Sequence, residues 1–252
     1  MTRIIMHGCN GKMGQVISSL VADNDQVAIV AGIDPYMGIE NPYPVFETPD
    51  QCDVKADVII DFSNANAVDA ILDYSAKTNT PIVVCTTGLS DDQLAHLKAI
   101  SEKVALLFSA NMSLGINLLI SLAQKATKIL TDANFDIEII EKHHNQKVDA
   151  PSGTALAIAE GINYTLDHTY NYKYDRSAER IKRPKKEIGI HAIRGGTIVG
   201  EHDVIFAGED EIIEINHKAM SKRIFAVGAV NAAKFLDSKP AGLYNMGDLM
   251  TF

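Results

Sequence analysis

The sequence predicts an α/β protein: a doubly wound parallel sheet, then a second α+β domain with an open mixed sheet. Three observations predict it. Over residues 3–108, short apolar runs alternate with segments of helical periodicity, the strand–helix repetition that builds a parallel sheet. The runs at 57–62, 81–85 and 104–108 are nearly continuous in apolar residues, as strands covered on both faces are. After residue 135 the pattern changes to strands separated by short turns, which belong to an antiparallel or mixed sheet.

In order, Arg3 to His7 reads as the first strand and Lys12 to Ala22 as a helix. Its residues Met13, Val16, Ile17, Leu20 and Val21 recur at i, i+3, i+4, i+7 and i+8 along one face. Val27 to Ile33 is the second strand and Asp57 to Phe62 the third. Ala65 to Ala76 is a helix, Pro81 to Cys85 the fourth strand, Asp91 to Ser101 a helix and Val104 to Phe108 the fifth strand. Leu114 to Leu130 is a long apolar helix. Phe135 to Glu141 is largely alternating, a strand with one wet face. Thr154 to Leu166 is a helix, and the polar stretch from Tyr170 to Lys186 reads as a surface loop. Ile188 to Ile193, Thr197 to Phe206 and Glu211 to His217 are strands, with turns at Gly195-Gly196 and at Gly208-Glu209-Asp210. Ser221 to Leu236 is the last helix, opened by a serine N-cap.

Bulk properties narrow the function classes. With 252 residues, 46% apolar and 22% charged, the chain suits a globular protein of one large or two modest domains. A net charge of -9 disfavours nucleic acid as a partner, since phosphate binding rests on clustered Lys and Arg. Three cysteines, Cys9, Cys52 and Cys85, with no C-x-x-C pair, argue against disulfides or a cysteine zinc site and for a reducing compartment. The first residues carry no apolar run suited to a signal peptide, and no stretch approaches the roughly 18 apolar residues of a membrane span. The expectation is a cytoplasmic protein with neither nucleic acid nor membrane as partner.

The first chemical signal is Gly8-Cys9-Asn10-Gly11-Lys12-Met13-Gly14, placed between a strand and a helix. Glycines there permit a tight turn and let the backbone approach a pyrophosphate, which the helix N-terminus attracts. Asp34 ends the second strand, twenty residues beyond Gly14, where an acid accepts hydrogen bonds from ribose hydroxyls. Asn10 stands where the fingerprint has its middle glycine. The alternative is a plain strand–helix turn that uses glycine for sterics.

The second signal is Glu138 to Ala155, where His143, His144 and Lys147 precede Pro151-Ser152-Gly153-Thr154. Pro151 stops any earlier helix. A helix start of Ser152, Gly153 and Thr154 offers backbone N–H groups, hydroxyls and a dipole to an anion. Imidazoles and a cation beside it suit proton delivery to a carboxylated substrate. Taken singly, Ser152 is an N-cap, the histidines a solvated strand end and Lys147 a surface lysine; the conjunction favours a site. Metal ligation by the histidines lacks a third ligand nearby, and no metal is expected.

At these residues the chain resembles the dihydrodipicolinate reductase family, over nearly its whole length. Glu141 to Ala155 matches the family's specific signature, and Gly8 to Gly14 resembles its G-x-x-G-x-M-G loop. Ile60 to Ser63, Cys85 to Gly88, Ser109 to Ser113 and a later hairpin at Arg194 to His202 resemble further segments. The resemblance implies a Rossmann-like first domain of residues 1–113 and 218–252, and a substrate and oligomerisation domain of 114–217. It implies reduction of a cyclic dicarboxylate imine to tetrahydrodipicolinate by NADH or NADPH, in a cytoplasmic homotetramer built through the second domain's sheet. His143 would be the general acid, Lys147 a second donor or charge stabiliser, and His144, Ser152, Gly153 and Thr154 the substrate contacts. Gly8, Cys9, Asn10, Gly11, Lys12, Met13, Asp34, Cys85, Thr86, Thr87, Ser109, Ala110, Asn111 and Met112 would line the cofactor.

One departure bears on cofactor choice. Many family members follow the strand-two acid with an arginine for the 2′-phosphate of NADPH; here Pro35 stands there, and Lys12 is the remaining cation. Use of both cofactors with a modest lean to NADH is expected. Two rival readings keep the Gly8 loop: another two-domain dehydrogenase of a carboxylated substrate, and a nicotinamide sensor without turnover. The first does not need His143 and His144 beside a Ser-Gly-Thr helix start, and the second needs neither His143 nor Lys147.

Overall fold

The computed structural model of the chain describes residues 1–22 and 24–250. The chain forms two compact units, Met1–Leu114 with Arg223–Phe252, and Gly115–Lys222. In the first unit the strands are β1 (Thr2–His7), β2 (Val27–Ile33), β3 (Val45–Phe46), β4 (Val58–Asp61), β5 (Ile82–Val84) and β6 (Ala105–Phe108). The helices α1 (Lys12–Val21), α2 (Ala65–Thr78) and α3 (Asp91–Ser101) lie between them. The second unit comprises α4 (Leu114–Leu130), β7 (Asp136–His143), α5 (Gly153–Tyr164), β8 (Asn171–Lys173), β9 (Glu187–Arg194), β10 (Gly200–Ala207) and β11 (Ile212–Ala219). The chain returns to the first unit with α6 (Arg223–Leu236) and β12 (Gly242–Tyr244).

The first sheet runs β12-β6-β5-β4-β1-β2-β3 with every pair parallel. Alternation along its strands builds two cores. Ile4, Met6, Ile60 and Val83 face α1 and α6, while Ile5, Ile59, Ile82 and Val84 face α2 and α3. Each such side chain, fully withdrawn from water, contributes about 1.5–3 kcal/mol. Asn64 caps α2, and a capping box of Ser90 and Gln93 opens α3. From β1 the strand order proceeds outward both ways, through β2 and through β4. The crevice at the carboxyl ends of β1 and β4 is therefore the place where such sheets bind ligands.

Seven strands stand where five were expected. The additions, β3 and β12, are edge strands of two and three residues, too short to show periodicity.

The second sheet runs β11-β10-β7-β9-β8 and is mixed: β7 pairs in parallel with β9 and antiparallel with β10. Odd residues of β7 are buried, and Ile137 and Ile139 pack with Ile188, Ile190, Val204 and Phe206 beneath α4 and α5. Two expectations are corrected here. Residues 194–202 do not form a hairpin, because β9 and β10 flank β7 on opposite sides; the hairpin is β10–β11. The stretch from Tyr170 to Lys186 is not only loop. It holds β8, an edge strand, and Arg183 anchors it through Asp136 and Glu138, each at 2.8 Å. Its polar composition reflects ion pairs to the sheet, which leave no periodic trace. Among the described residues no helix is long and apolar enough to cross a membrane.

Candidate active site

In the first unit the glycine loop is built from bare backbone. Gly8 has φ +79°, and a Cβ there would lie 2.6 Å from the carbonyl oxygen of Phe62. A Cβ on Gly14 would press on the carbonyl oxygens of Gly8 and Cys9. Helix α1 then opens behind Gly11 with no side-chain cap, so its first turn presents backbone N–H groups and the positive end of its dipole. These features fit a dinucleotide pyrophosphate.

Asn10 takes the fingerprint's middle position for a local reason. Its side-chain carbonyl accepts from Asn41 Nδ2 at 2.7 Å, and its Nδ2 donates to the Tyr36 carbonyl. Its backbone N–H donates to Asp34 Oδ2 at 2.9 Å, while Asp34 Oδ1 accepts the Tyr36 N–H at 2.9 Å. The loop after β2 is thus clasped to the glycine loop, with buried Asp34 at the joint.

A cavity of about 480 Å³ lies beside this loop. Of the residues expected at the cofactor, Gly11, Lys12, Met13, Cys85, Thr86, Thr87, Ala110 and Met112 line it. Ser109 and Asn111 close a turn next to it, Ser109 Oγ donating to the Asn111 carbonyl at 2.9 Å. Gly8 and Cys9 are buried. Burial, and then the charge of Asp34, pushes the Cys9 thiol up to about 11, so it stays protonated. Beneath the cavity, fully buried Asp61 accepts from Ser63 Oγ at 2.6 Å and Thr86 Oγ1 at 2.7 Å, and pairs with His7 Nδ1 at 2.7 Å. Ser63 and Thr86 both line the cavity.

In the second unit β7 runs two residues further than its alternating pattern indicates and ends on His143. Glu141 and His143 therefore share the buried face of one strand. Glu141 Oε2 lies 2.6 Å from His143 Nδ1, and Arg194 on β9 grips the same carboxylate with two bonds of 2.7 Å. The Ser152 N–H donates to Glu141 Oε1 at 2.9 Å. Ser152 Oγ caps α5 by accepting the Ala155 N–H at 3.1 Å and lies 3.2 Å from His202 Nε2 on β10. Gly153 faces open space, with no atom within 4 Å of a Cβ built there. Lys147 pairs with Asp149 at 2.7 Å, and the Asp149 carbonyl accepts from Arg194. His144 is half-buried at the strand end.

Electrostatics follow from these contacts. Burial opposes ionisation of Glu141, but Arg194, His143 and the Ser152 N–H outweigh it and hold the carboxyl below its usual range. Burial, then the neighbouring His143, pushes His202 down to about 4, which makes it a neutral imidazole near pH 7. Sequence reasoning assigned no role to Glu141, Arg194, His202 or Asp61. The one available signal was the period-two placement of Glu141 on the face of His143. Among the described residues no group of three or more His, Cys, Asp or Glu side chains is placed to hold a metal ion.

Comparisons with known proteins agree across both units. The family profile "Dihydrodipicolinate reductase, N-terminus" matches residues 2–112, and "Dihydrodipicolinate reductase, C-terminus" matches residues 115–250. The 4-hydroxy-tetrahydrodipicolinate reductase of Clostridium novyi is 49% identical over 250 residues, which cover 99% of this chain and 98% of that protein. The enzyme of the same name from Caldanaerobacter subterraneus is 50% identical over 250 residues, with the same coverage of 99% and 98%. Among solved structures, the dipicolinate-bound dihydrodipicolinate reductase from Paenisporosarcina sp. TG-14 superposes with a TM-score of 0.83 at 25% identity, covering 97% of each chain. With both halves matched and relatives near half identical along their full length, the chain belongs to the dihydrodipicolinate reductase family.

Proposed function

We propose that this chain performs the family's reaction with His143 as general acid, on a dicarboxylate held at the start of α5. The reaction is reduction of the cyclic imine 4-hydroxy-tetrahydrodipicolinate to tetrahydrodipicolinate, a step of diaminopimelate and lysine biosynthesis. A nicotinamide cofactor, when bound, would supply the hydride; Gly8, Gly11 and Gly14 with the start of α1 would hold its pyrophosphate, and the cavity lined by Cys85 to Thr87, Ala110 and Met112 would take the rest of it.

As the ring receives the hydride, a proton must reach it. His143 suits this because an imidazole can carry and release a proton and its ring is held by Glu141. Gly153 and Thr154 bind substrate carboxylate at a helix start, with His144 alongside. Ser152 supports that start with its cap, and Lys147 with Asp149 adds fixed charge beside it. The dipicolinate named with the Paenisporosarcina structure is a planar dicarboxylate of this class. The observation that carries the reading is the Glu141–His143 pair beside the α5 start.

Both cofactors serve, with a modest lean to NADH. The segment Asp34-Pro35-Tyr36-Met37-Gly38-Ile39-Glu40-Asn41 has two acids and no cation, and exposed Lys12 offers only a flexible point charge to a 2′-phosphate. The protein works in the cytoplasm as a homotetramer, assembled on the sheet face opposite α4 and α5, where Ile193 and Ile212 are exposed.

The test is consumption of reduced nicotinamide with substrate freshly generated by the preceding synthase. The unmodified protein turns over. His143→Gln is expected to lower kcat by roughly 10²–10⁴-fold with cofactor affinity unchanged. Wild-type turnover in that variant removes His143 from the mechanism.

A further inference from the structure

We infer that Glu141 is a positioning residue that couples the proton donor to the carboxylate cradle: one buried carboxylate fixes both the direction of His143 and the start of α5. The inference rests on the roles proposed above for His143 and the α5 start.

Glu141 is fully buried, and its acceptor capacity is used up. Oε2 takes His143 Nδ1 and Arg194 Nη1; Oε1 takes Arg194 Nη2 and the Ser152 N–H. Arg194 and the Ser152 amide can only donate, and the remaining contact is the His143 ring. A protonated carboxyl would have to give up one of these bonds, so the arrangement selects the carboxylate. An apolar side chain of the same shape would leave the Arg194 charge, the His143 Nδ1–H and the Ser152 amide without their carboxylate acceptor.

The consequence for His143 is directional. Nδ1 carries a hydrogen toward Glu141, which leaves Nε2 as the atom that gives up its proton. In the step, the Nε2–H bond breaks and a bond from that hydrogen to the substrate forms. The neutral imidazole keeps its Nδ1–H on Glu141 until solvent returns the proton. Gly200, the first residue of β10, keeps Nε2 approachable: a Cβ there would lie 3.1 Å from it.

The charged and titratable groups around His143 are few. Glu141 lies on its own strand and Arg194 on β9. His202 on β10 meets it edge-on at 5.3 Å, and His217 stands opposite His202 on β11. Lys147 and Asp149 occupy the following loop. His202 is neutral, so the charged partner that the His143 ring meets directly is Glu141.

The other arm sets the cradle. The Glu141–Ser152 bond fixes the N-cap from which Gly153 and Thr154 follow, and Arg194 also holds the Asp149 carbonyl. Donor and cradle are thus referenced to the same two oxygens.

The experiment compares Glu141→Gln, Glu141→Asp, Gly200→Ala and His143→Gln in the full chain. It reads kcat, KM for the cyclic imine, pH profile and cofactor affinity. Glu141→Gln is expected to lower kcat about 10–100-fold, to raise KM several-fold, and to move the alkaline limb of kcat downward. Cofactor affinity stays as in the wild type. Glu141→Asp restores the limb, because the charge returns, but not KM, because the shorter side chain cannot serve both arms. Gly200→Ala lowers kcat and leaves the limb in place. An unmoved alkaline limb and unchanged KM in Glu141→Gln overturn the inference. If that variant does not fold, a wild-type KM in Glu141→Asp overturns it equally. His143→Gln with wild-type turnover defeats the assignment of His143 itself, whatever Glu141 does.

Discussion

Each unit carries a fully buried carboxylate near the carboxyl end of a central strand, and each carboxylate holds an imidazole by Nδ1, at 2.7 Å for Asp61 and 2.6 Å for Glu141. Their other partners differ. Asp61 is met by the hydroxyls of Ser63 and Thr86 and by the Ser63 N–H, whereas Glu141 is met by a guanidinium and the Ser152 N–H. Hydroxyl donors steady the loops that line a cavity. A guanidinium clamps the charge itself and leaves the paired imidazole set in one direction. The proposed cofactor loop is therefore bare backbone at Gly8 and Gly14, and the proposed substrate site is side chains held by other side chains. The two are open to different injuries.

Breaking the backbone side is expected to have the largest effect. Gly14→Val forces a side chain against the carbonyls of Gly8 and Cys9, an overpacking of about 1–3 kcal/mol. Cofactor affinity should fall by one to two orders of magnitude, read by quenching of reduced-nicotinamide fluorescence. Affinity like that of the wild type would mean that the loop is not held by contact.

On the side-chain side the next effect is in stability. His202 refuses a proton that the unfolded chain accepts between pH 6.5 and about 4, so stability falls as pH falls through that window. The difference is worth roughly 3 kcal/mol at most. Melting temperature against pH should slope less over this window in His202→Gln. Glu141, whose carboxyl is held low, gives up its contribution progressively as pH falls from the ordinary carboxylate range toward its lowered native value. An identical slope in both proteins would assign the dependence to another group.

Gly153→Leu sharpens the contrast further. Its side chain would fill the open space before α5 and raise KM for the cyclic imine by about tenfold, with cofactor affinity untouched. Competition by pyridine-2,6-dicarboxylate should weaken in parallel; undiminished competition would put the anion site elsewhere. The smallest effect concerns cofactor choice. Pro35→Arg should move preference toward NADPH and Lys12→Ala toward NADH, the latter by less than about sixfold, the worth of an exposed ion pair. A strong preference for NADPH in the unmodified protein, insensitive to salt, would show that another group holds the 2′-phosphate.

The same contrast explains what could be read in the sequence. The glycine loop was legible because a backbone approach at Gly8 and Gly14 forces residue type. The core strands were legible because burial on both faces forces apolar runs. Glu141 was not, since one acid in an alternating strand looks like any other and its clamp, Arg194, is 53 residues away. By its alternation alone the strand ends at Glu141, which hides the pairing with His143. The order of the second sheet was equally hidden: nothing local in residues 194–202 tells that β7 lies between the strands they join. Strands β3, β8 and β12 are held by pairing at sheet edges, with too few residues to carry a pattern of their own.

The clasp formed by Asn10, Asn41 and Tyr36 has a practical consequence for redesign. The segment proposed to meet the nucleotide's ribose should behave as a cassette, because its path is tied to the glycine loop. A large swing in coenzyme use should require exchanging residues 34–41 together with Asn10. A graft of 34–41 that keeps Asn10 and still reverses preference would show the two to be separable.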